Sequence, residues 1–154
     1  MRHVPLVGWL CTLNRTIFVS RDDRLQVSAQ IARLREALGA SRAVTIFPEG
    51  TTGDGVTLLP FKAALLAALD PPPAGVRVQP MRVDHGTATD DLAWVGDEPG
   101  QSHALRVLRR RGTFAVTLHA LAPFDPAEAG NRKAIASQAR AAIENAQSTP
   151  APKV

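Results

Sequence analysis

The sequence has one cysteine, no tyrosine, two tryptophans and five phenylalanines in 154 residues. A single thiol, Cys11, excludes an internal disulfide framework and a CxxC metal site. Set in the apolar run Gly8-Trp9-Leu10-Cys11, it reads as a buried thiol, because free cysteine packs as a small hydrophobe. Aromatic residues make up only 5%, and no nucleic-acid reading motif is present, so nucleic acid is not an expected partner. Long apolar runs are missing as well: none approaches the roughly 18 residues that span a bilayer. The N-terminus does not read as a signal peptide, since Pro5 interrupts its apolar part and Asn14 and Arg15 follow without a small-residue cleavage site. These absences point to a chain that is cytoplasmic, or peripheral on the cytoplasmic face of a membrane.

What is present fits one globular domain. Hydrophobic residues reach 45% and charged residues 21%, and a chain of this length can bury roughly 70% of its unfolded surface. A formal net charge of +4 and a pI near 10.2 favour an anionic partner, such as a phosphorylated small molecule or an acidic membrane surface.

Strand and helix patterns alternate. Residues 16–20, TIFVS, and 43–47, AVTIF, read as strands, the second as a central buried one bounded by turn residues. Between them Val27, Ile31, Leu34 and Leu38 mark one face of a helix over 24–38, closed by Gly39. A short helix is expected from Phe61 to Leu69, ended by 70-DPPPAG-75. The run 76-VRVQPMRV-83 alternates like a strand, with Pro80 marking an edge or a bulge. A loop from Asp84 to Gly100, a helix over 101–111, a strand over 113–121 and an alanine-rich helix from Asn131 to Gln147 complete the pattern. The class is α/β: a mixed sheet covered by helices, in one domain over 1–147, with 148–154 as a frayed tail.

The stretch 44-VTIFPEGTTGDGVTLLPFK-62 holds the most chemistry. A strand feeding a glycine-rich turn is a generic anion-binding geometry. Neither GxxxxGK[ST] nor GxGxxG is present, however, and Glu49 would repel a pyrophosphate. Gly53-Asp54-Gly55 is a strong turn signal, but a turn alone does not account for Pro-Glu-Gly directly after an apolar strand.

Phe47-Pro48-Glu49-Gly50-Thr51, followed by Leu59-Pro60-Phe61-Lys62, resembles the third motif of the lysophospholipid acyltransferases, the 1-acyl-glycerol-3-phosphate acyltransferase family. Upstream, 15-RTIFVSR-21 is similar to that family's second motif at Ile17, Phe18, Val19 and Arg21. Pro80 within 76–83 is similar to its fourth, a proline in a strand. The resemblance implies transfer of an acyl group from acyl-CoA or acyl-carrier protein to the free hydroxyl of a lysophospholipid, at the cytoplasmic face of the inner (plasma) membrane, with no cofactor. It also implies that Arg21, Glu49, Gly50, Thr51 and Thr52 bind the acceptor, with Lys62 a further candidate cation. Thr52 stands where the family commonly has arginine, so one expected cation is missing, which keeps a lyso-ornithine lipid acceptor open.

The family's first motif, His-x4-Asp, carries the general base and belongs before Arg21. No such pair stands there: His3 is followed five residues on by Gly8. Residues 85-HGTATD-90 satisfy the spacing, but His85 and Asp90 follow the other motifs and read as a chance match. The expectation is therefore the C-terminal portion of a glycerolipid acyltransferase domain, inactive by itself. The alternative is a non-catalytic module that binds lipid headgroups. The basic run 106-RVLRRR-111 reads as a solvated helix face or an attraction to anionic lipid, and His119 as structural.

Overall fold

The computed structural model describes residues 24–148 together with Trp9, Leu13 and Thr16. The chain divides into two compact units, Met1–Thr45 and Ile46–Val154. The expected strand at 16–20, Cys11 and Arg21 lie outside the described residues, Thr16 excepted.

In the first unit, helix α1 (Arg24–Gly39) forms where the apolar spacing demands it. Its buried positions are Gln30, Leu34 and Ala37, while Val27, Ile31 and Leu38 are half-buried. The buried stripe is thus turned slightly from the expected one. The helix also ends differently. Gly39 lies in the last turn, and the left-handed residue is Ser41, with φ 54°. Arg42 N donates to Ala37 O (3.0 Å) and Ser41 N to Leu38 O (2.9 Å), the paired bonds of a Schellman stop.

Residues 42–47 form no strand, contrary to the expectation for 43–47, and Phe47 is 77% exposed. A strand exists only by hydrogen bonding to a neighbour. Among the described residues no neighbour pairs with this segment, so its β-propensity goes unrealised. The one sheet described is accordingly small and antiparallel rather than mixed: β1 (Met81–Asp84) against β2 (Thr117–Ala120).

The second unit is built around this pair and one long helix. An isolated bridge joins Val78 to Phe124 ahead of the ladder. Between Val78 and Met81 the first strand advances three residues while its partner advances four, from Ala120 to Phe124, so the bulge lies in the partner, within 121–123, opposite Pro80 rather than at it. Proline has no N–H to donate there, and its carbonyl accepts from Leu121 N at 3.0 Å. The register puts Met81, Val83 and Leu118 on one face, all exposed. Arg82, Asp84 and His119 meet on the other, with Arg82–Asp84 at 3.0 Å and His119–Asp84 at 3.7 Å. The Gly86 N–H bound to Asp84 is the main reason that carboxyl lies below its ordinary pKa.

The helix expected over Phe61–Leu69 is a shorter 3-10 turn, Leu65–Leu69. Lys62 N is committed to Pro48 O (2.8 Å), and the run of prolines from Pro71 stops the far end. The expected loop after Asp84 contains a 3-10 turn, Gly86–Ala88, and a short helix α2 (Thr89–Leu92). Helix α3 (Gly100–Leu108) follows, shorter than the span 101–111. Helix α4 (Pro126–Ala129), which the pattern missed, is capped by Asp125 Oδ1 accepting from Ala127 N at 2.8 Å.

Helix α5 (Arg132–Ser148) is entered through Asn131, whose Oδ1 accepts from Lys133 N (3.0 Å) and Ala134 N (3.1 Å). It buries Ile135, Ala136, Ala139 and Ile143, spaced for one helical face, and packs on the 3-10 turn that buries Leu66, Ala68 and Leu69. Ser148 closes α5 and the rest of the expected tail lies outside the described residues. Among the described residues no helix is long and apolar enough to cross a membrane.

Candidate functional site

The segment from Phe47 to Lys62 folds back on itself, and two hydrogen bonds from its far end close it. Leu59 N donates to Glu49 Oε2 at 2.9 Å, and Lys62 N donates to Pro48 O at 2.8 Å. The turn at Pro48-Glu49 is tightened by Gly50 N donating to Phe47 O at 3.2 Å. Gly50 has φ +66°, a conformation that costs a side-chain-bearing residue about 1–2 kcal/mol. A Cβ at Gly50 would also stand 3.3 Å from Lys62 Cδ and 3.5 Å from its Nζ. Glycine therefore lets the lysine stem lie across the turn. The two sequence motifs, FPEGT and LPFK, are one structural object.

Between them the chain makes its own small turn. Asp54 Oδ1 accepts from Val56 N (2.9 Å) and Thr57 N (2.7 Å), and Oδ2 accepts from the Thr57 hydroxyl (2.8 Å). These donors, the Thr57 N–H foremost, hold the Asp54 carboxyl below its ordinary pKa. Gly55, at φ +76°, completes the turn beside α2, where a Cβ would meet Thr89 Cγ2 at 2.8 Å. Asp54 and Gly55 thus serve the loop's shape, as the turn signal suggested.

The side chains left for a ligand are those of Glu49, Thr51, Thr52 and Lys62. Thr51 and Thr52 are exposed just past the turn, and Lys62 is exposed with no ion pair among the described residues. Glu49 is half-buried, with Oε2 held by Leu59 N. Glu49 and Lys62 carry opposite charges at the same turn and are not salt-bridged to each other. A carboxylate fixed by one oxygen can accept a hydrogen bond from a hydroxyl with the other, and an ammonium at the same turn can take an anion. Arg21, expected in this site, lies outside the described residues.

His85 and Asp90 are joined by no hydrogen bond or ion pair. His85 precedes the 3-10 turn, and Asp90 sits in the first turn of α2. His103 and the arginine run, in contrast, have more structure than the sequence suggested. Arg106 Nε and Nη2 take both oxygens of Glu98, at 3.1 and 2.8 Å. Arg106 also donates to the Asp91 carbonyl and to the Ala93 carbonyl (2.8 Å). Its side chain is the leading reason that Glu98 lies below its ordinary pKa. His103 stacks on Trp94 with ring centres 4.8 Å apart and lies 3.5 Å from Glu98. Arg110 pairs with Asp91 at 3.0 Å and lies over the Phe114 ring. So Arg106 and Arg110 are structural, and of this run only Arg109 and Arg111 point to no anion among the described residues.

Sequence reasoning missed Arg140 and Gln147 of α5. Arg140 Nη2 donates to Leu58 O at 3.2 Å, and Gln147 Nε2 reaches Val56 O at 3.5 Å. No local pattern marks such partners; both lie at the edge of the buried face of α5, one turn on from Ala136 and Ile143.

Residues 1–84 match the Acyltransferase family profile. The chain is 32% identical to a lyso-ornithine lipid O-acyltransferase of Rhodobacter capsulatus over 92% of its own length and 53% of that protein. It is 37% identical to the lyso-ornithine lipid O-acyltransferase of Pseudomonas aeruginosa over 93% of its length and 55% of that protein. The human lysophospholipid acyltransferase LPCAT4 is 30% identical over 84% of the chain and 24% of that protein. The chain spans about half the length of the bacterial relatives it matches. No solved structure matches.

Proposed function

We propose, because this chain belongs to the acyltransferase family, that it carries the acceptor-binding part of an O-acyltransferase acting on a lysolipid. The reaction takes an acyl group from a thioester, acyl-CoA or acyl-carrier protein, and places it on a free hydroxyl of the acceptor. An alcohol is a weak nucleophile at neutral pH, so a base must take its proton as it attacks. In the family that base is the histidine of His-x4-Asp. Here His85 and Asp90 have the spacing but are not joined, and a base must be held in place to be useful. This chain by itself is therefore expected to bind acceptor without turning it over.

The closed FPEGT–LPFK turn is the observation that carries this reading. Glu49 accepts the acceptor's hydroxyl or head-group donors, Gly50 allows close approach of the backbone, and Thr51 and Thr52 add donors at the rim. Lys62 supplies a cation, and the resemblance to the family's second motif makes Arg21 a further candidate. Two acceptors fit this chemistry: 1-acyl-glycerol-3-phosphate and a lyso-ornithine lipid. The second is favoured by Thr52, which removes a cation a phosphate would want, and by Glu49 and Lys62, which form no ion pair among the described residues and together suit a head group bearing both an ammonium and a carboxylate. The names of the two bacterial relatives point the same way.

The test is a chimera in which this chain replaces the region it matches in the Pseudomonas aeruginosa relative. Acylation of lyso-ornithine lipid in excess of 1-acyl-glycerol-3-phosphate is expected. A folded chimera that acylates neither overturns the function. One that acylates only the phosphate-bearing acceptor overturns the choice between them.

A peripheral seat on an anionic membrane belongs to the same proposal. Arg109 and Arg111 stand next to Leu105 and Leu108, whose side chains are exposed, Leu108 at 79%. Each cation near such a surface contributes about 1 kcal/mol. The chain should co-sediment with phosphatidylglycerol-rich vesicles, and less so as Arg109→Gln/Arg111→Gln. Absence of binding at low salt would remove the membrane from the account.

A further inference from the structure

Helix α5 lies wholly outside the 1–84 region that matches the family profile, yet it reaches into the acceptor loop. Gln147 Nε2 reaches Val56 O at 3.5 Å, and the shorter contact is made by Arg140. Arg140 Nη2 donates to Leu58 O at 3.2 Å and is itself held by Glu144 Oε1, one helical turn on, at 2.8 Å. The peptide unit whose carbonyl Arg140 holds runs from Leu58 C=O to Leu59 N–H. A peptide group is planar, with its C=O and N–H pointing in opposite directions. Fixing the carbonyl therefore fixes the direction of the N–H. That N–H is the one that donates to Glu49 Oε2 at 2.9 Å. Glu144, Arg140, the Leu58–Leu59 peptide and the Glu49 carboxylate thus form one line of charge-assisted hydrogen bonds, from a helix 82 residues away in sequence to the acceptor motif.

We propose that Arg140 is a positioning residue for Glu49, acting through the Leu58–Leu59 peptide, and that Glu144 sets its guanidinium. The idea rests on the reading of Glu49 as an acceptor ligand, but its first test does not. Arg140 is suited to the task because it is anchored on the helix that also carries the buried Ile135, Ala139 and Ile143. Asp54 shapes the loop from within through Val56 and Thr57, so the segment is held at two adjacent places by independent means. The Nε of Arg140 is buried with no hydrogen-bond partner among the described residues, so both useful contacts come from the terminal nitrogen. A lysine ammonium can make the same two contacts, whereas a glutamine amide, carrying no charge and reaching less far, cannot hold both.

The experiment is amide hydrogen exchange by NMR on this chain and on Arg140→Gln and Arg140→Lys, followed by titration with a micelle-free lysolipid. In Arg140→Gln the Leu59 amide should exchange at least about fivefold faster, with its proton resonance moved upfield, while the α5 amides around Ile135 keep their protection. Arg140→Lys should restore most of the Leu59 protection. Unchanged Leu59 exchange in Arg140→Gln, or loss in Arg140→Lys equal to that in Arg140→Gln, overturns the proposal. If Arg140→Gln loses protection throughout α5, the Arg140→Lys comparison and Glu144→Gln decide it, with selective loosening of Leu59 expected in Glu144→Gln and an unchanged Leu59 refuting it. The titration separates the two layers. Loosened Leu59 with weaker lysolipid binding supports both, whereas loosened Leu59 with unaltered binding in both Arg140→Gln and Glu49→Ala retains the positioning contact and sinks the acceptor role of Glu49.

Discussion

Glu49→Ala in the chimera should lower kcat/KM for the lysolipid by at least about 100-fold, with kcat and KM both affected. Two losses combine in this one change. The first is chemical: the carboxylate proposed to hold the acceptor disappears, and with it the orientation of the hydroxyl that must attack. The second is structural. Leu59 N donates to Glu49 Oε2 at 2.9 Å in a part-buried position. Removing the acceptor leaves that N–H without a partner, at a cost of about 1–3 kcal/mol unless the loop shifts to find one. Glu49→Gln separates the two, since its amide oxygen can still accept from Leu59 N while the charge is gone. It should preserve Leu59 amide protection and still lose most of the turnover. Steady-state kinetics with both lysolipids and an exchange measurement at Leu59 supply the readouts. Wild-type kinetics in Glu49→Ala would remove the carboxylate from the site altogether.

The largest expected effect on stability comes from Ile135→Ala. Ile135 is 1% exposed and lies in the row of α5 side chains that packs on the 3-10 turn Leu65–Leu69. Truncation removes buried methylene and methyl groups and leaves a cavity that the surroundings only partly fill. The cost of such changes is about 2–5 kcal/mol. A domain holds only about 5–15 kcal/mol in total, so this single change removes a large share of it. Ile135→Val, which deletes one methylene, should cost about 0.5–1.5 kcal/mol. Urea denaturation of the three proteins measures the series. A loss under about 1 kcal/mol for Ile135→Ala would mean that α5 does not pack as described. That would also weaken the case for Arg140, whose anchorage depends on this helix.

These effects trace back to elements of different legibility. Helices α1 and α5 could be read almost to the residue, because their apolar spacing and the Asn131 cap act over one or two turns. The break in the ladder beside Pro80 was legible for a similar reason, since a residue without an N–H cannot sit in an unbroken ladder, although the bulge itself lies in the opposite strand. The segment 43–47 was not. Its β-branched and apolar residues meet every local criterion for a buried strand, but burial and pairing are supplied by other segments. The same holds for the arginine run, read as a solvated face or an attraction to anionic lipid. Arg106 is instead held by Glu98 and by the carbonyls of Asp91 in α2 and Ala93 just after it, and His103 is stacked on Trp94.

In the acceptor loop the division is sharpest. The sequence by itself determined the chemistry on offer: a carboxylate at Glu49, a glycine beside it at Gly50, a turn at Asp54-Gly55, and a lysine at Lys62. Those properties belong to single residues and their immediate neighbours, so spacing suffices to read them. Only the tertiary structure decided that Leu59 N–H holds Glu49 from ten residues away, that Lys62 lies across Gly50, and that Arg140 holds the Leu58 carbonyl from 82 residues away. Each of those bonds needs its two groups brought within about 3 Å by everything packed between them. No local pattern encodes that closure, which is why the residues of the motif were legible and the residue that aims it was not.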